Sequence, residues 1–348
     1  MLQALFEYQS MIAELMAMDY ADSSLYDWAT ALGEAARMAC RVTGRDEFLV
    51  PHYIQADRLH TLKTFCEPAG MKIVEVKQSK QTGAILEEDL QQKISSKVAG
   101  AYVENPSYLG FLEPNSKRIG EIAHEKGALF IVGADPISLG LFAPPGELGA
   151  DIAVGEGQPL GNHMNYGGPL LGLFACKGDR LLRHMPGRLI GMTLTKDGNS
   201  KAFTMTLQTR EQHIRRGKAT SNICTNEALC AVAAAVYLSL MGPRGLEKLG
   251  KTILANASYA MRRLKELGDL KVPLFEAQHF KEFVVGFDDA GLTASEVNAK
   301  LHKRGIQGGI CFDKQFPELG QSALYCVTEL HTHEKIDQLV EAIRPILE

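Results

Sequence analysis

Short apolar runs rich in strand-forming residues alternate with helix-patterned segments through the first half of this 348-residue chain. The runs are FLV at 48–50, KIVEV at 72–76, GAYVEN at 100–105, ALFIVG at 128–133, DIAVG at 151–155 and LLGLFA at 170–175. The segments at 56–66, 87–95 and 117–125, which separate the first four runs, have the apolar spacing of helices. Parallel neighbouring strands need a crossover connection, usually a helix, so this alternation predicts βαβ units. We therefore predict an α/β fold whose largely parallel sheet carries helices on both faces.

Other patterns flank this alternation. Helices are predicted at 2–18, 29–41, 226–240, 245–267, 294–304 and 334–347, and strands at 282–287 and 323–328. A Gly-Pro pair at 242–243 separates the two long helices, because proline and glycine interrupt helices. The patterns predict a large sheet domain over residues 1–240 and a small α+β domain over residues 241–348.

The charge balance excludes several classes of partner. With 37 Lys and Arg against 41 Asp and Glu, a formal net charge of -4 offers no basic surface for nucleic acid or an anionic membrane. The longest apolar run, 228–241, is shorter than the ~20 residues of a membrane-spanning helix. Seven scattered cysteines form no CxxC pair, and His331 and His333 have no ligand nearby beyond Glu334, so we expect reduced thiols and no metal site. We expect a cytoplasmic protein.

Four segments of the sheet region are candidates for binding a ligand. Residues 29–31, Ala-Thr-Ala, open a helix where backbone N–H groups bind a phosphate, although an ordinary helix start is the favoured explanation. Residues 105–110 follow a strand, where open α/β sheets place ligands, or form a plain turn. Asp135 either faces the nitrogen of a bound heterocycle or starts an Asp-Pro turn. The glycine-rich loop 155–169 predicts a close approach to a ligand or to another chain, and it lacks the Walker and Rossmann spacings.

The densest polar motif is QTREQHIRRGKATSNICT at 208–225. Its cations precede Thr220, Ser221 and Asn222 and are Arg210, Arg215, Arg216 and Lys218. Cations and hydroxyls ahead of a long helix suit an anion, either a phosphate or a carboxylate. The alternative is a solvated basic loop with an ordinary helix cap.

A family resemblance rests on four motifs. These are NPSYLG at 105–110, LFIVGADPISLG at 129–140, GQPLGNHMNYGGP at 157–169 and, most specifically, TREQHIRRGKATSNICTNEAL at 209–229. With them the chain resembles the α-type subunits of the glycine-cleavage P-protein family from Leu2 to its last helix. The resemblance implies a fold-type-I pyridoxal-phosphate (PLP) architecture, like that of aspartate aminotransferase. It also implies a complex that decarboxylates glycine and passes the aminomethyl group to lipoyl H-protein, with a β-type partner subunit that carries the cofactor lysine.

The residues agree with this division between two subunits. A PLP enzyme needs a lysine amine for its Schiff base, but there is no lysine between Lys126 and Lys177. When the closing Gly-Gly-Pro of loop 155–169 is matched to that of the family's lysine loop, the resemblance places Gln158 at the Schiff-base position. It places Gly133, rather than Asp135, at the position that faces the cofactor ring. Since an amide forms no imine, we expect no catalytic residue in this chain and PLP only on the partner.

A role in trans is implied by related PLP dimers, in which a hydroxyl loop of one subunit completes the phosphate site of the other. The matching segment here is residues 219–222. The resemblance thus implies that Thr220, Ser221 and Asn222 reach the partner's PLP phosphate, while Arg215 and Lys218 favour anions nearby.

Three departures from the family pattern affect this prediction. Trp28 stands where a glycine is expected and would crowd a cofactor pocket, and Gly217 replaces an acidic residue. The chain also begins where the family still has a preceding amino-terminal segment, which helps to shape the small domain and the subunit contact. A chain without that segment is expected to be impaired in assembly. We predict an accessory subunit of glycine decarboxylase. The alternatives are a self-sufficient PLP enzyme, such as a decarboxylase or aminotransferase, and a pure scaffold.

Overall fold

A seven-stranded sheet organises residues 20–176 of the computed structural model, which describes residues 1–223 and 226–347. Its strands are β1 (Tyr20–Ala21), β2 (Glu47–Pro51), β3 (Lys72–Val76), β4 (Val98–Glu104), β5 (Leu129–Ala134), β6 (Ile152–Glu156) and β7 (Gly172–Cys176). They lie in the order β1-β7-β6-β5-β4-β2-β3. Strands β2 to β6 pair in parallel, whereas β7 is antiparallel to β6 and to β1. The predicted α/β sheet is confirmed, and its parallel part ends at β6, where a loop without a crossover helix leads to β7.

Helices cover both faces of this sheet. They are α1 (Leu2–Met16), α2 (Trp28–Thr43), α3 (Ala56–Cys66), α4 (Glu87–Lys93), α5 (Ser116–Glu125) and α6 (Gly178–Leu182). On one face, Leu32 of α2 and Leu62 of α3 belong to the same buried cluster as Phe48. On the other face, Tyr8 of α1 and Ile119 of α5 are buried with the opposite side of the sheet. This two-sided cover explains why the strands are continuous apolar runs.

A hairpin outside the main sheet was not predicted. Its strands are β8 (Leu189–Leu194) and β9 (Lys201–Thr206), and the short helix α7 (Gln212–Arg215) follows. Most side chains of both strands are partly or fully exposed, so their sequences lack a buried apolar face. Without that periodicity, the pairing has no clear signature in the sequence.

Helix α8 (Ala228–Lys265) contains a break at Gly242, whose φ of 59° and ψ of −179° are not helical. Two helices with a Gly-Pro break between them were predicted there, and the structure confirms them. By length and composition alone, α8 passes as a membrane span, and 33% of its apolar window is buried; one such helix is weak evidence. The straight apolar part, residues 228–241, is shorter than the ~20 residues that a span requires. Leu229, Val236 and Leu240 of this part are exposed.

A second, antiparallel sheet follows α8. Its strands β10 (Glu282–Gly286), β11 (Ile310–Cys311) and β12 (Ser322–Cys326) lie in the order β10-β12-β11, with helices α9 (Ala294–His302) and α10 (His333–Leu347). Phe283 of β10 and Val340 of α10 are buried in one cluster with Leu264 of α8. The two-residue strand β11 was not predicted, because it is too short to show a period. The predictions for Cys224 and Thr225 lie outside the described residues.

Candidate functional site

A cavity of about 230 Å³ lies at the carboxyl ends of β4, β5 and β6, and we call it the sheet-end cavity. Its lining residues are Trp28, Arg58, Pro106, Ser107, Tyr108, Asp135, Glu156, Gln158, Pro159, Lys281 and Glu282. Open α/β sheets bind ligands at this edge, because the loops that leave parallel strands meet there. Three candidate segments from the sequence, 105–110, Asp135 and the start of loop 155–169, therefore come together.

The amino terminus of α2 is occupied by side chains of the chain itself. The Asp27 carboxylate accepts the N–H of Thr30 at 2.7 Å, as an ordinary helix cap does. The Glu156 carboxylate accepts the N–H of Trp28 at 3.3 Å and that of Gln158 at 3.0 Å. Burial raises the pKa of Glu156, and these backbone donors offset the increase only in part. A phosphate at this helix start would meet two carboxylates, so the favoured prediction of an ordinary helix start is correct here.

The side chain of Trp28 forms the wall of the cavity next to β5. Its indole Nε1 donates to the hydroxyl of Tyr102 at 3.0 Å, and the Arg58 guanidinium lies over the ring, 3.7 Å from its centroid. A Cβ added to Gly133 would lie 2.8 Å from the indole. The position that the resemblance matches to the ring-facing aspartate thus has no room for a side chain.

Arg58 is fixed on its other side by a buried carboxylate. Its Nη1 donates to Glu104 at 2.8 Å, and the hydroxyl of Tyr102 donates to the same carboxylate at 3.0 Å. The Arg58 Nε and the Ser107 hydroxyl are buried without a hydrogen-bond partner among the described residues. Ser107, only 8% exposed, lines the cavity together with Arg58.

An ion pair that the sequence did not predict crosses the cavity. The Lys281 ammonium contacts the carboxylate of Asp135 and lies 3.7 Å from Oε1 of Glu282. Burial alone would lower the pKa of Lys281, but the attraction of Asp135 and Glu282 outweighs it and raises the pKa. The amine is therefore protonated and is no nucleophile. Asp135 also accepts the N–H of Ile137 at 2.9 Å, so it starts the predicted turn as well.

Gln158 lies in the sheet-end cavity, where the resemblance puts a cofactor lysine. Its side-chain amide donates to the carbonyl of Asn162 at 2.6 Å. The lysine that does line the cavity is Lys281, which precedes β10 in the second sheet region. Sequence reasoning missed Lys281, because a single charged residue before a strand carries no motif.

The hydroxyl loop lines a different cavity of about 590 Å³, which we call the loop cavity. Its polar lining residues are Tyr26, Glu34, Arg37, Arg41, Thr64, Thr220, Ser221 and Asn222. The hydroxyl of Ser221 donates to Glu34 at 2.6 Å. Burial raises the pKa of Glu34, although Ser221 and the two arginines act to lower it.

The two predicted cations of the loop lie outside both cavities. Arg215 and Lys218 are exposed, and Arg215 donates from Nε to the carbonyl of Thr209 at 3.2 Å. The structure thus places Gln158 at one cavity, residues 220–222 at another, and the two cations on the surface.

Comparison with known proteins gives consistent matches over the whole chain. The family model described as "Glycine cleavage system P-protein" matches residues 1–343. The "Probable glycine dehydrogenase (decarboxylating) subunit 1" of Staphylothermus marinus is 52% identical, covering 99% of this chain and 74% of that protein. The protein of the same name from Thermococcus kodakarensis is 50% identical, covering 100% of this chain and 75% of its own length.

Solved structures match as well. A glycine decarboxylase (P-protein) of the glycine cleavage system, crystallised in inhibitor-bound form, superposes with a TM-score of 0.91 at 38% identity. The match covers 99% of this chain and 76% of that one. A NifS-like protein, at a TM-score of 0.69 and 14% identity over 99% of this chain and 87% of its own, shares the fold alone.

Proposed function

The chain belongs to the glycine cleavage system P-protein family, and from this premise we propose that it is an accessory subunit of glycine decarboxylase that holds no cofactor. A β-type subunit beside it carries PLP and the Schiff-base lysine. PLP, bound there, supplies the electron sink for the decarboxylation of glycine. The aminomethyl group passes to lipoyl H-protein.

One observation carries this proposal, namely which side chains occupy the sheet-end cavity. Gln158 offers an amide at the position of the cofactor lysine, and Glu156 places a carboxylate at the helix start. Trp28 fills the space in front of Gly133. PLP therefore does not fit this chain, and the alternative of a self-sufficient PLP enzyme is disfavoured.

The hydroxyl loop, residues 219–222, contributes to the phosphate site of the partner subunit in this proposal. Thr220 and Ser221 are partly exposed and Asn222 is exposed, so a partner subunit has access to them. The exposed Arg215 and Lys218 add positive charge near the same loop, which favours a phosphate. In the alternative of a pure scaffold, none of these side chains contributes to the partner's site.

Two coarser features of the proposal concern organisation and location. Residues 1–240 and 241–348 act as large and small domains, which the separate seven-stranded and three-stranded sheets support. The cytoplasm is the proposed location, and the free thiols of the six described cysteines support it.

The test is reduction of the purified chain with borohydride after incubation with PLP, followed by peptide mass spectrometry. We expect only scattered labelling of exposed lysines, because the Lys281 amine is protonated and ion-paired. The assembled complex serves as the control and acquires one stoichiometric pyridoxyl group on the partner. A stoichiometric adduct on Lys281 or another buried lysine of this chain would contradict the proposal.

A further inference from the structure

We infer that the sheet-end cavity binds a small free α-amino acid in its zwitterionic form. The inference concerns this chain alone and holds whether or not the partner carries the cofactor. It rests on the size of the cavity, on the charges of its wall and on buried donors that lack acceptors.

The size of the cavity limits the ligand to a small molecule. Its volume of about 230 Å³ is below the ~300–1,000 Å³ of pockets for drug-sized ligands. It exceeds the ~150 Å³ of a cavity that takes up benzene, so about five to ten non-hydrogen atoms fit. The small α-amino acids have this size.

The charged wall favours an ammonium group over a free anion. Three carboxylates line the cavity, those of Asp135, Glu156 and Glu282, against the two cations Arg58 and Lys281. Arg58 is further neutralised by Glu104 at 2.8 Å. Burial raises the pKa of Glu156 and of Glu282. An ammonium group beside them stabilises their charged forms, whereas a ligand that is only negative destabilises them.

The unused donors favour a carboxylate on the same ligand. The Nε of Arg58 and the hydroxyl of Ser107 are buried, and neither has a hydrogen-bond partner among the described residues. A buried donor without a partner is unfavourable, so native proteins supply an acceptor from protein, water or ligand. A molecule that carries both an ammonium and a carboxylate satisfies both sets of groups, and an α-amino acid is the smallest common compound that does so.

The chain contains its own reporter for this binding. Trp28, the only tryptophan in the sequence, lines the cavity beneath Arg58. Its fluorescence should change when a ligand enters. Titrations of the full chain without PLP therefore use tryptophan fluorescence together with isothermal calorimetry, with glycine, alanine and serine as probes.

The expected result is saturable binding of at least one of these amino acids below about 10 mM. Acetate and methylamine, which each carry one of the two charges, should bind at least about tenfold more weakly. Ser107→Ala should weaken the binding several-fold. Ser322→Ala is the matched control: the Ser322 hydroxyl is also buried and has no partner among the residues that the structure describes, but Ser322 lies on β12, outside the cavity lining.

Three outcomes would overturn the inference. The first is the absence of any change in heat or fluorescence with all three amino acids. The second is binding of acetate or methylamine as strong as that of the amino acids. The third is equal affinity in wild type, Ser107→Ala and Ser322→Ala, which would place the binding elsewhere on the chain.

Discussion

At the scale of single residues, Lys281 gives the clearest prediction. Its ammonium neutralises Asp135, whose side chain is buried, and it also faces Glu282. Replacing Lys281 by Met removes the cation and leaves a buried carboxylate uncompensated. We expect the free energy of unfolding to fall by about 3 kcal/mol, which urea denaturation measures.

Lys97→Met is the control for this change, since Lys97 is exposed and its hydrogen bonds with Glu47 and Ser95 are formed by its backbone. It should alter stability by less than about 0.5 kcal/mol. If Lys281→Met is equally mild, the ion pair contributes nothing to the fold.

The residues of the site differ in how far the sequence predicts them. Gln158 was assigned to the lysine position by the resemblance at the closing Gly-Gly-Pro of its loop, and the sequence also shows no lysine between Lys126 and Lys177. Arg58, Lys281 and Glu282 could not, because Arg58 lies on α3, whereas Lys281 and Glu282 lie at the start of β10, far away along the chain. Only the closure of the second sheet region onto the first brings them to one cavity.

At the scale of elements, burial decided what could be predicted. Strands β2 to β6 and helix α3 were predicted because their apolar residues face a core with a regular period. The hairpin β8–β9 was not, because its side chains are largely exposed. The break in α8 was predicted from the Gly-Pro pair at 242–243, and in the structure Gly242 adopts a positive φ that most residues avoid.

The hydroxyl loop, residues 219–222, carries the second prediction. If it completes the phosphate site of the partner, the Thr220→Ala and Ser221→Ala double substitution removes hydrogen bonds to a charged group. We expect the assembled pair to lose PLP about tenfold faster or more, since such bonds contribute about 1.5–3 kcal/mol each. The PLP content after gel filtration, read from its absorbance, measures this.

A variant that keeps both hydroxyl groups tests whether the hydroxyls themselves, rather than the packing of the side chains, retain PLP. The Thr220→Ser and Ser221→Thr variant keeps both hydroxyls, including the one that donates to Glu34. It should retain PLP as wild type does. Equal retention by the alanine variant would instead support a pure scaffold.

At the scale of the whole molecule, His52 joins the two sheet regions. His52 follows β2. Its Nδ1 lies 3.0 Å from the carboxylate of Glu75 on β3, and its Nε2 lies 2.7 Å from that of Glu318, which precedes β12. Burial acts to lower the pKa of His52, but the hydrogen bonds to Glu75 and Glu318 outweigh it and raise the pKa. Charged His52 therefore stabilises the contact between the regions.

The direction of the pH effect follows from this raised pKa. The stabilisation is fully present below the unfolded-state pKa of about 6.5 and is lost as pH rises through the folded-state value. His52→Gln should thus destabilise the protein more near pH 6 than near about pH 8, by less than about 1 kcal/mol because the ring is partly exposed.

Thermal unfolding at the two pH values measures this difference. The same change at the exposed His60 of α3 is the control and should show no such dependence. A pH-independent effect of His52→Gln would mean that the contact does not depend on the charge of the ring.

The Glu156 carboxylate, which accepts the N–H of Trp28 at the start of α2, also bears on how such a subunit could evolve. A cofactor site would need a lysine at Gln158, a neutral group at Glu156 and a small residue at Trp28. Each change alone leaves an unpaired helix start, a hole in the packing or an amine without a cofactor, and none brings activity by itself. On the proposed function, all three changes would have to occur together before this subunit could hold a cofactor.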